Sequence, residues 1–349
     1  MLSVRRFFVA MKIYLLIYQF FCDMMWISFI KREVDIVIAK PIHVLQNYPV
    51  RKTKAQKSKF REAAVSYFEN IGYQVTVESG KLGVNNIVVG NPETARYLIT
   101  AHYDTPVTMF VPNVITPCNF LPFILWQLFT VGLMLLPIIV TRVAADVWFP
   151  DSVWAAVIAD VFWLFECILL FFGPANPNNA NDNTSGVIGV MDMAYHMPKE
   201  LQKYVCFVLF DLEEAGLIGS ASYAKTHASA IKSQVVFNLD CVGDGDNLVF
   251  VPTKKFRKHK GLMSWLTNWN GIRINGRTIR TLSSGFMYYP SDQYNFPYGL
   301  GVSALKKHKF NWLYLDRIHT KQDTIFSYEN ISVLNECIMT LMQNDKHCL

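Results

Sequence analysis

The sequence predicts an α/β fold: one domain with a central, mostly parallel mixed sheet flanked by helices, interrupted by a two-helix transmembrane hairpin. Three observations carry this expectation. Short β-rich runs alternate with helical or loop stretches, the pattern of a sheet buried on both faces. Two apolar runs within residues 120–172 are each about the length needed to cross a hydrocarbon core. The composition is 52% apolar and only 17% charged, where a soluble domain carries about a quarter charged residues. The excess lies in the first thirty residues and in 120–172, so it marks membrane contact rather than an unusually large core.

Taken in order, residues 7–30 are apolar over enough length to span a bilayer, although Lys12 and Asp23 interrupt them. No small-residue cleavage site follows, so the segment reads as an N-terminal anchor and not as a removable signal. A start at Met24 or Met25 would make it an upstream extension instead. The chain turns globular from about residue 33. Residues 55–71 place apolar side chains at helical spacing, and Gly72 supplies a stop. Strand-like runs follow at 73–79, 85–91 and 96–104, and later at 204–212, 234–240 and 247–252. The expected organisation is 1–32 as anchor or extension, 33–115 and 175–349 as two parts of one domain, and 116–174 as the inserted hairpin.

Within the insert, residues 120–141 carry no charge, and residues 153–172 carry only Asp160 and Glu166. About a dozen residues, among them Arg142, Asp146, Pro150 and Asp151, are expected to join the two helices. The competing reading is a pair of buried core helices or a hydrophobic lid. Carboxylates in lipid are costly and face a partner helix or a cavity, which keeps that alternative in play for Asp160 and Glu166. Both ends of a hairpin must lie on one side of the membrane. The connecting loop has only Arg142, whereas the globular part holds nearly all the Lys and Arg. That asymmetry places the globular domain on the cytoplasmic face of a multi-pass protein of the cell membrane. Arg5 and Arg6 argue the opposite way if residues 7–30 also span.

Net charge is +6, and its densest run is Lys254-Lys255-Phe256-Arg257-Lys258-His259-Lys260. No nucleic-acid motif accompanies the run, so it reads as a solvated helix start or loop, and no nucleic-acid partner is expected. The seven cysteines form no CxxC pair, and several sit inside apolar runs. They give no disulfide framework and favour a reducing compartment.

Chemistry is concentrated in five segments: His102 and Asp104 in LITAHYD, Asp182 in ANDNTSG, Glu213 and Glu214 in LFDLEEAG, Asp240 in VFNLDCVGDGD, and His319 in LDRIHT. Each is expected to follow an apolar strand-like run. In open parallel sheets the carboxyl ends of strands line the ligand crevice, so the five would point into one place. Imidazole nitrogen and carboxylate oxygen are zinc ligands, and two ions about 3.5–4 Å apart need a shared ligand. A further carboxylate must take a proton from the attacking water and return it to the leaving amine. Adjacent Glu213 and Glu214 suit that division, one for metal and one for the water. Asp104, two residues after His102, suits the orientation of a ligating imidazole. Each piece alone is weak: EE is normally a solvated helix start, and NDNTSG is a good turn and helix cap. Their order and spacing carry the case.

The stretches ITAHYDTP, NDNTSGV, FDLEEAGLIGSASYA, FNLDCVG, PSDQYNF and HTKQDT resemble the co-catalytic zinc metallopeptidase family of bacterial leucyl aminopeptidase and aminopeptidase Y, with its glutaminyl cyclase and glutamate carboxypeptidase relatives. The resemblance covers about 50–105 and 176–345. It implies a zinc-exopeptidase-like domain with two zinc ions per chain. His102 and Asp240 would hold one ion, Glu214 and His319 the other, and Asp182 would bridge them. Glu213 would be the general base, with Asp104 supporting His102. The expected activity is removal of N-terminal residues from peptides. Two departures stand out: the apolar hairpin between the first ligand and the bridging aspartate, and Gln293 after Ser291-Asp292 where the family often has histidine. The second is expected to bear on substrate preference. A second family of two-zinc exopeptidases has a similar ligand order, but it carries a long insert before its last ligand and GxxDxKG where this chain has NDNTSG.

Rival readings are a carboxypeptidase or glutaminyl cyclase on the same scaffold, and a membrane receptor or scaffold that has lost the chemistry. His43, His196, His227, His259, His308 and His347 have no ligand-like setting. The aromatic stretch 285–299 is expected either to wall a substrate pocket or to pack as a surface loop.

Overall fold

The computed structural model describes residues 40–109, 113–117, 119–149, 153–282 and 289–344. The expected N-terminal anchor lies outside these residues, as do Cys22, Cys118, Cys348 and His347.

The strands are β1 (Val75–Ser79), β2 (Asn85–Val89), β3 (Tyr97–His102), β4 (Val205–Phe210), β5 (Val235–Leu239), β6 (Asn247–Pro252), β7 (Arg273–Ile274), β8 (Arg277–Thr281), β9 (Tyr298–Lys307) and β10 (Leu313–Tyr314). Helices of eight residues or more are α1 (Lys54–Asn70), α2 (Phe120–Trp148), α3 (Val153–Phe172), α4 (Gly186–His196), α5 (Ile218–Thr226), α6 (Lys260–Thr267) and α7 (Tyr328–Gln343).

Helix α1 begins where the sequence supplies a capping box. The Thr53 hydroxyl accepts from the Gln56 N–H, and the Gln56 side chain accepts from the Thr53 N–H. Its apolar positions Phe60, Ala64, Tyr67 and Phe68 are buried, and Gly72, at φ +94°, lets the chain leave.

The ten strands form one mixed sheet in the order β1-β2-β4-β3-β5-β9-β6-β8-β7, with β10 paired to β9. Its centre, β4-β3-β5-β9, is parallel, and the flanks include antiparallel pairs. Every residue of β3 and β4 is buried, as expected of strands covered on both faces. The period-two alternation divides the core. Tyr97, Ile99 and Ala101 pack with the α1, α4 and α7 side chains Phe60, Val190 and Ile338, while Leu98 packs with Cys206, Tyr223 and Phe296 on the opposite face. Because β3 lies between β4 and β5, chain from before the insert is clasped by chain from after it.

Six of these strands match the expected runs, and β7 to β10 were not anticipated. The omission of β9 has a physical cause. Its glycines 299 and 301 depress strand propensity, but a Cβ at either position would run into Gln293. The strand keeps its glycines so that the turn Asp292–Asn295 can lie flat on it.

Helices α2 and α3 pack on each other. Helix α2 runs to Trp148, beyond the expected end near 141, because Ala144 and Ala145 are good helix formers and Arg142 pairs with Asp146 one turn on at 3.0 Å. Among the described residues, α2 is the one helix long and apolar enough to cross a membrane. Leu121, Leu128, Leu136, Ile139 and Val143 on α2, and Trp154, Val161 and Leu164 on α3, are exposed. Of the two hairpin carboxylates that keep the lid alternative in play, Glu166 lines a cavity and Asp160 is exposed.

Candidate metal centre

Three adjacent parallel strands deliver the first side chains. His102 is the last residue of β3. Glu213 and Glu214 follow β4, and Asp240 follows β5. Strand order switches direction at β3, where open α/β sheets form their ligand crevice. Asp182 departs from the expected layout. It follows no strand but sits in the irregular segment Ala180–Ser185 that leads into α4. That segment is fastened from outside. The carboxylate of Asp323 accepts the N–H groups of Asn181 and Asp182, both at 2.9 Å. Asn183 donates to the Leu239 carbonyl at 3.0 Å and accepts from the Cys241 N–H at 3.3 Å, tying the segment to the end of β5. His319 comes from the loop after β10.

Left-handed backbone clusters at this site. Leu212 (φ 57°), Cys241 (φ 55°) and His319 (φ 61°) are non-glycine residues in that region, a conformation costing on the order of 1–3 kcal/mol each and retained where function requires it. The first lies beside Glu213, the second beside Asp240, and the third is a site residue itself.

All seven expected site residues come together. His102 Nε2 lies 3.3 Å from Asp182 and 3.8 Å from Asp240. His319 Nε2 lies 2.9 Å from the other Asp182 oxygen and 3.6 Å from Glu214. His102 Nδ1 faces Asp104 at 3.5 Å. Asp104 has a second task that its spacing did not disclose: its two oxygens accept the N–H groups of Glu213 and Glu214, at 3.0 and 3.2 Å. One carboxylate thereby sets the imidazole and both glutamates. Three groupings have ligand atoms mutually within 4.8 Å: His102 with Asp182 and Asp240, Asp182 with Glu214 and His319, and His102 with Glu213 and Glu214. The first two share Asp182.

Electrostatics fit a cation site. His102, Asp182 and Asp240 are only 1%, 3% and 6% exposed, and buried carboxylates this close repel unless positive charge lies between them. His102 Nδ1 and Glu214 Oε1 are buried with no hydrogen-bond partner. Burial opposes protonation of His102, but Glu213, Asp104, Asp182 and Asp240 outweigh it and hold the imidazole well above its usual pKa. His319 is likewise raised to about 9, Glu214 and Asp182 overcoming burial. Burial pushes Glu213 well above the carboxylate range and Glu214 up to about 8. Asp182 is also desolvated, yet the two imidazoles draw it below its ordinary value. Two imidazole nitrogens and several carboxylates around shared positions form a donor set suited to zinc.

The sequence profile of peptidase family M28 matches residues 167–342, about half of the chain. The chain belongs to peptidase family M28. It is therefore a hydrolase of the zinc metallopeptidase class. The M28 match begins inside α3, so His102, Asp104 and most of the inserted hairpin precede it. Among solved structures, a Legionella pneumophila aminopeptidase, LapA, is similar at 15% identity and a TM-score of 0.50, covering 86% of this chain and 68% of that one. Macrostomum lignano glutaminyl cyclase is similar at 11% identity and a TM-score of 0.52, covering 90% of both chains. At these identities the likeness is one of fold. A search of curated protein sequences returned no match.

Further buried side chains around the centre carry no local signal in the sequence. Asp323 stands inside the quoted HTKQDT stretch, yet nothing local reveals that it anchors Asp182. Asp292 is fully buried, accepts from the Ser220 hydroxyl, and has its second oxygen unpartnered; burial raises it to about 7. The buried pair Lys57–Asp211, at 2.6 Å, lies under the turn that presents Glu213. Gln293, expected to bear on substrate preference, has a packing role: its amide donates to the Tyr289 carbonyl at 2.6 Å and accepts from Asn238 at 3.3 Å. Of the aromatic stretch 285–299, residues 285–288 lie outside the described residues. Tyr289 donates to the Asp240 carbonyl at 3.1 Å, and Phe296 is core. His227 is buried between Glu78 and Glu93, at 2.9 and 2.6 Å, away from the centre.

Proposed function

We propose that the chain is a membrane-anchored aminopeptidase that uses two zinc ions to remove N-terminal residues from peptides. The observation that supports this reading is the sharing of Asp182 by two ligand groupings, one completed by His102 and Asp240 and the other by Glu214 and His319. When bound, zinc supplies Lewis acidity toward a carbonyl and makes water a stronger acid. The chain's own residues do the rest. Asp182, which belongs to both groupings, would be the ligand the two ions share. Asp104 keeps His102 and the Glu213-Glu214 backbone in register. Glu213, whose affinity for protons is raised by burial, takes the proton from the attacking water and delivers it to the leaving amine.

In this reading the centre lies at a lipid bilayer, supported by the exposed apolar surface of α2, and the peptidase domain is on the cytoplasmic side, where its Lys and Arg are favoured. Partners are the peptide and the lipid, and no nucleic acid is involved. The test is hydrolysis of amino-acid nitroanilides and amides by detergent-solubilised protein, with zinc counted per chain. Two zinc ions and loss of cleavage when the amino group is acetylated are expected. Release of residues from the carboxyl end, or cyclisation of N-terminal glutamine, would replace the aminopeptidase reading by one of its scaffold rivals.

A further inference from the structure

The turn between β9 and β10 carries side chains that neither the core nor the metal centre uses. The Asn311 N–H closes it on the His308 carbonyl at 2.8 Å, with Asn311 itself in left-handed backbone (φ 66°). Rings gather on this turn. The His308 imidazole lies 5.2 Å from Phe310, 4.6 Å from Trp312 and 6.1 Å from Tyr314, centroid to centroid. The cluster does not bury its outermost ring, for Phe310 remains 69% exposed. Lys307 and Lys309 flank it and are exposed. The acids beside these strands are engaged elsewhere: Asp244 and Asp316 hold Lys306 at 3.0 and 2.5 Å, and Asp244 also holds Arg317 at 3.1 Å. Among the described residues, neither Lys307 nor Lys309 has an ion-pair partner.

Backbone pairing sets this turn beside the inserted hairpin. Ile115, five residues before α2, and Leu315, five residues after Phe310, form an antiparallel bridge with N–H to oxygen distances of 2.9 and 2.8 Å. In an antiparallel pair, the chain after one partner and the chain before the other head the same way. The start of α2 and the aromatic turn therefore leave the bridge in one direction, and five residues reach no further than about 18 Å. Phe120 and Leu121, which open α2, are exposed, so the outward apolar surface begins at that level. The exit of α3 is tied to the same neighbourhood. Thr108 donates its N–H to the Pro174 carbonyl at 2.9 Å, and Met109 donates its N–H to the His319 carbonyl at 2.7 Å.

We propose that the β9–β10 turn docks on anionic lipid. Phe310 enters the interface of the bilayer from which α2 and α3 emerge, and Lys307 and Lys309 bind the phosphates of its headgroups. The inference rests on the reading of the hairpin as membrane-spanning and deepens it by naming the lipid class. Aromatic rings and lysines are the side chains that settle at the headgroup level, and an exposed ring there is removed from water. An anionic surface supplies the charge that these two lysines lack. A second copy of the same turn would instead set lysine against lysine. Docking adds a support beside the two helices, and the strand it fixes runs on to His319 four residues after Leu315. The lipid contact and the metal centre thus share one short segment of chain.

The experiment measures backbone hydrogen exchange across residues 307–312 by mass spectrometry, on the full chain in nanodiscs of phosphatidylcholine with or without phosphatidylglycerol. Three proteins are compared: the wild type, the double variant Lys307→Gln with Lys309→Gln, and Phe310→Ser. Each lysine near an anionic surface favours docking about fivefold, so adding phosphatidylglycerol should slow wild-type exchange by roughly tenfold or more. The double variant should erase that difference, and Phe310→Ser should speed exchange severalfold in both discs. Equal exchange of the wild type in the two discs, or a difference that survives the lysine substitutions, overturns the docking turn. Protection in neutral detergent that grows with protein concentration assigns the turn to a second copy and overturns it as well. Fractionation without detergent tests the spanning reading separately. Wild-type protein recovered in the soluble fraction removes that reading alone. If this soluble protein then binds phosphatidylglycerol vesicles through Lys307 and Lys309, the docking turn stands, and if it does not, both fall.

Discussion

The metal centre and the inserted hairpin invert each other's chemistry. At the sheet ends, carboxylates and imidazoles are packed into the interior, where His102 is 1% exposed and Asp182 3%. On the hairpin, Leu128, Ile139, Val143 and Leu164 are turned outward. Each region would be unfavourable alone, the first through charge repulsion in a poorly solvated space and the second through apolar surface in water. On the proposed reading each becomes favourable with a component that the polypeptide does not contain, divalent cations for the one and lipid for the other. The two meet along a single cavity, lined by Glu214 and His319 on one side and by Leu133 and Leu169 of the hairpin on the other.

The comparison breaks most directly at Glu213. Glu213→Gln preserves shape and should leave zinc bound while turnover on nitroanilides falls by about 10²–10⁴; turnover near wild type would remove the assigned base. Next is the pH response of chelated protein. The folded-state values of Glu214, about 8, and His319, about 9, lie above their unfolded values. The folded chain therefore binds more protons than the unfolded one, and stability should fall as pH rises from about 5 to 9. Zinc should abolish most of that slope in thermal melts, and an identical slope with and without metal would refute the cation-dependent picture.

On the hairpin side, Leu136→Arg puts a charge on the outer face of α2. At roughly 2.5–3.5 kcal/mol for a mid-membrane charge, it should shift protein from the membrane pellet to the soluble fraction in flotation assays. An unchanged distribution would favour a lid over a membrane span. The smallest effect belongs to Arg142→Ala. Both members of the Arg142–Asp146 pair are about half exposed, so no more than about 0.5 kcal/mol of helix stability is at stake, read as a Tm change at the edge of detection.

Much of this was legible beforehand because it is local. Thr53 and Gln56 announce the start of α1, and the fully apolar runs of β3, β4 and β5 announce buried parallel strands. The types and order of seven side chains single them out in the sequence, and the fold brings those seven together. What escaped was of another kind. The glycines of β9 argue against a strand until Gln293 is seen lying on them. Asp182 was placed after a strand that does not exist, since a turn-rich segment fastened by Asp323 has no signal of its own.

Residue type fixed which atoms can ligate, protonate or enter lipid, because those are properties of single side chains and of short apolar runs. Convergence is different. That Asp182 stands between two imidazoles 217 positions apart in the chain, that Asp104 clamps both glutamates, and that Glu166 borders the same cavity as His319 depend on distances across the sheet. Those distances are set by which strands pair and which loops pack, a many-body outcome with no counterpart in any single stretch of the chain.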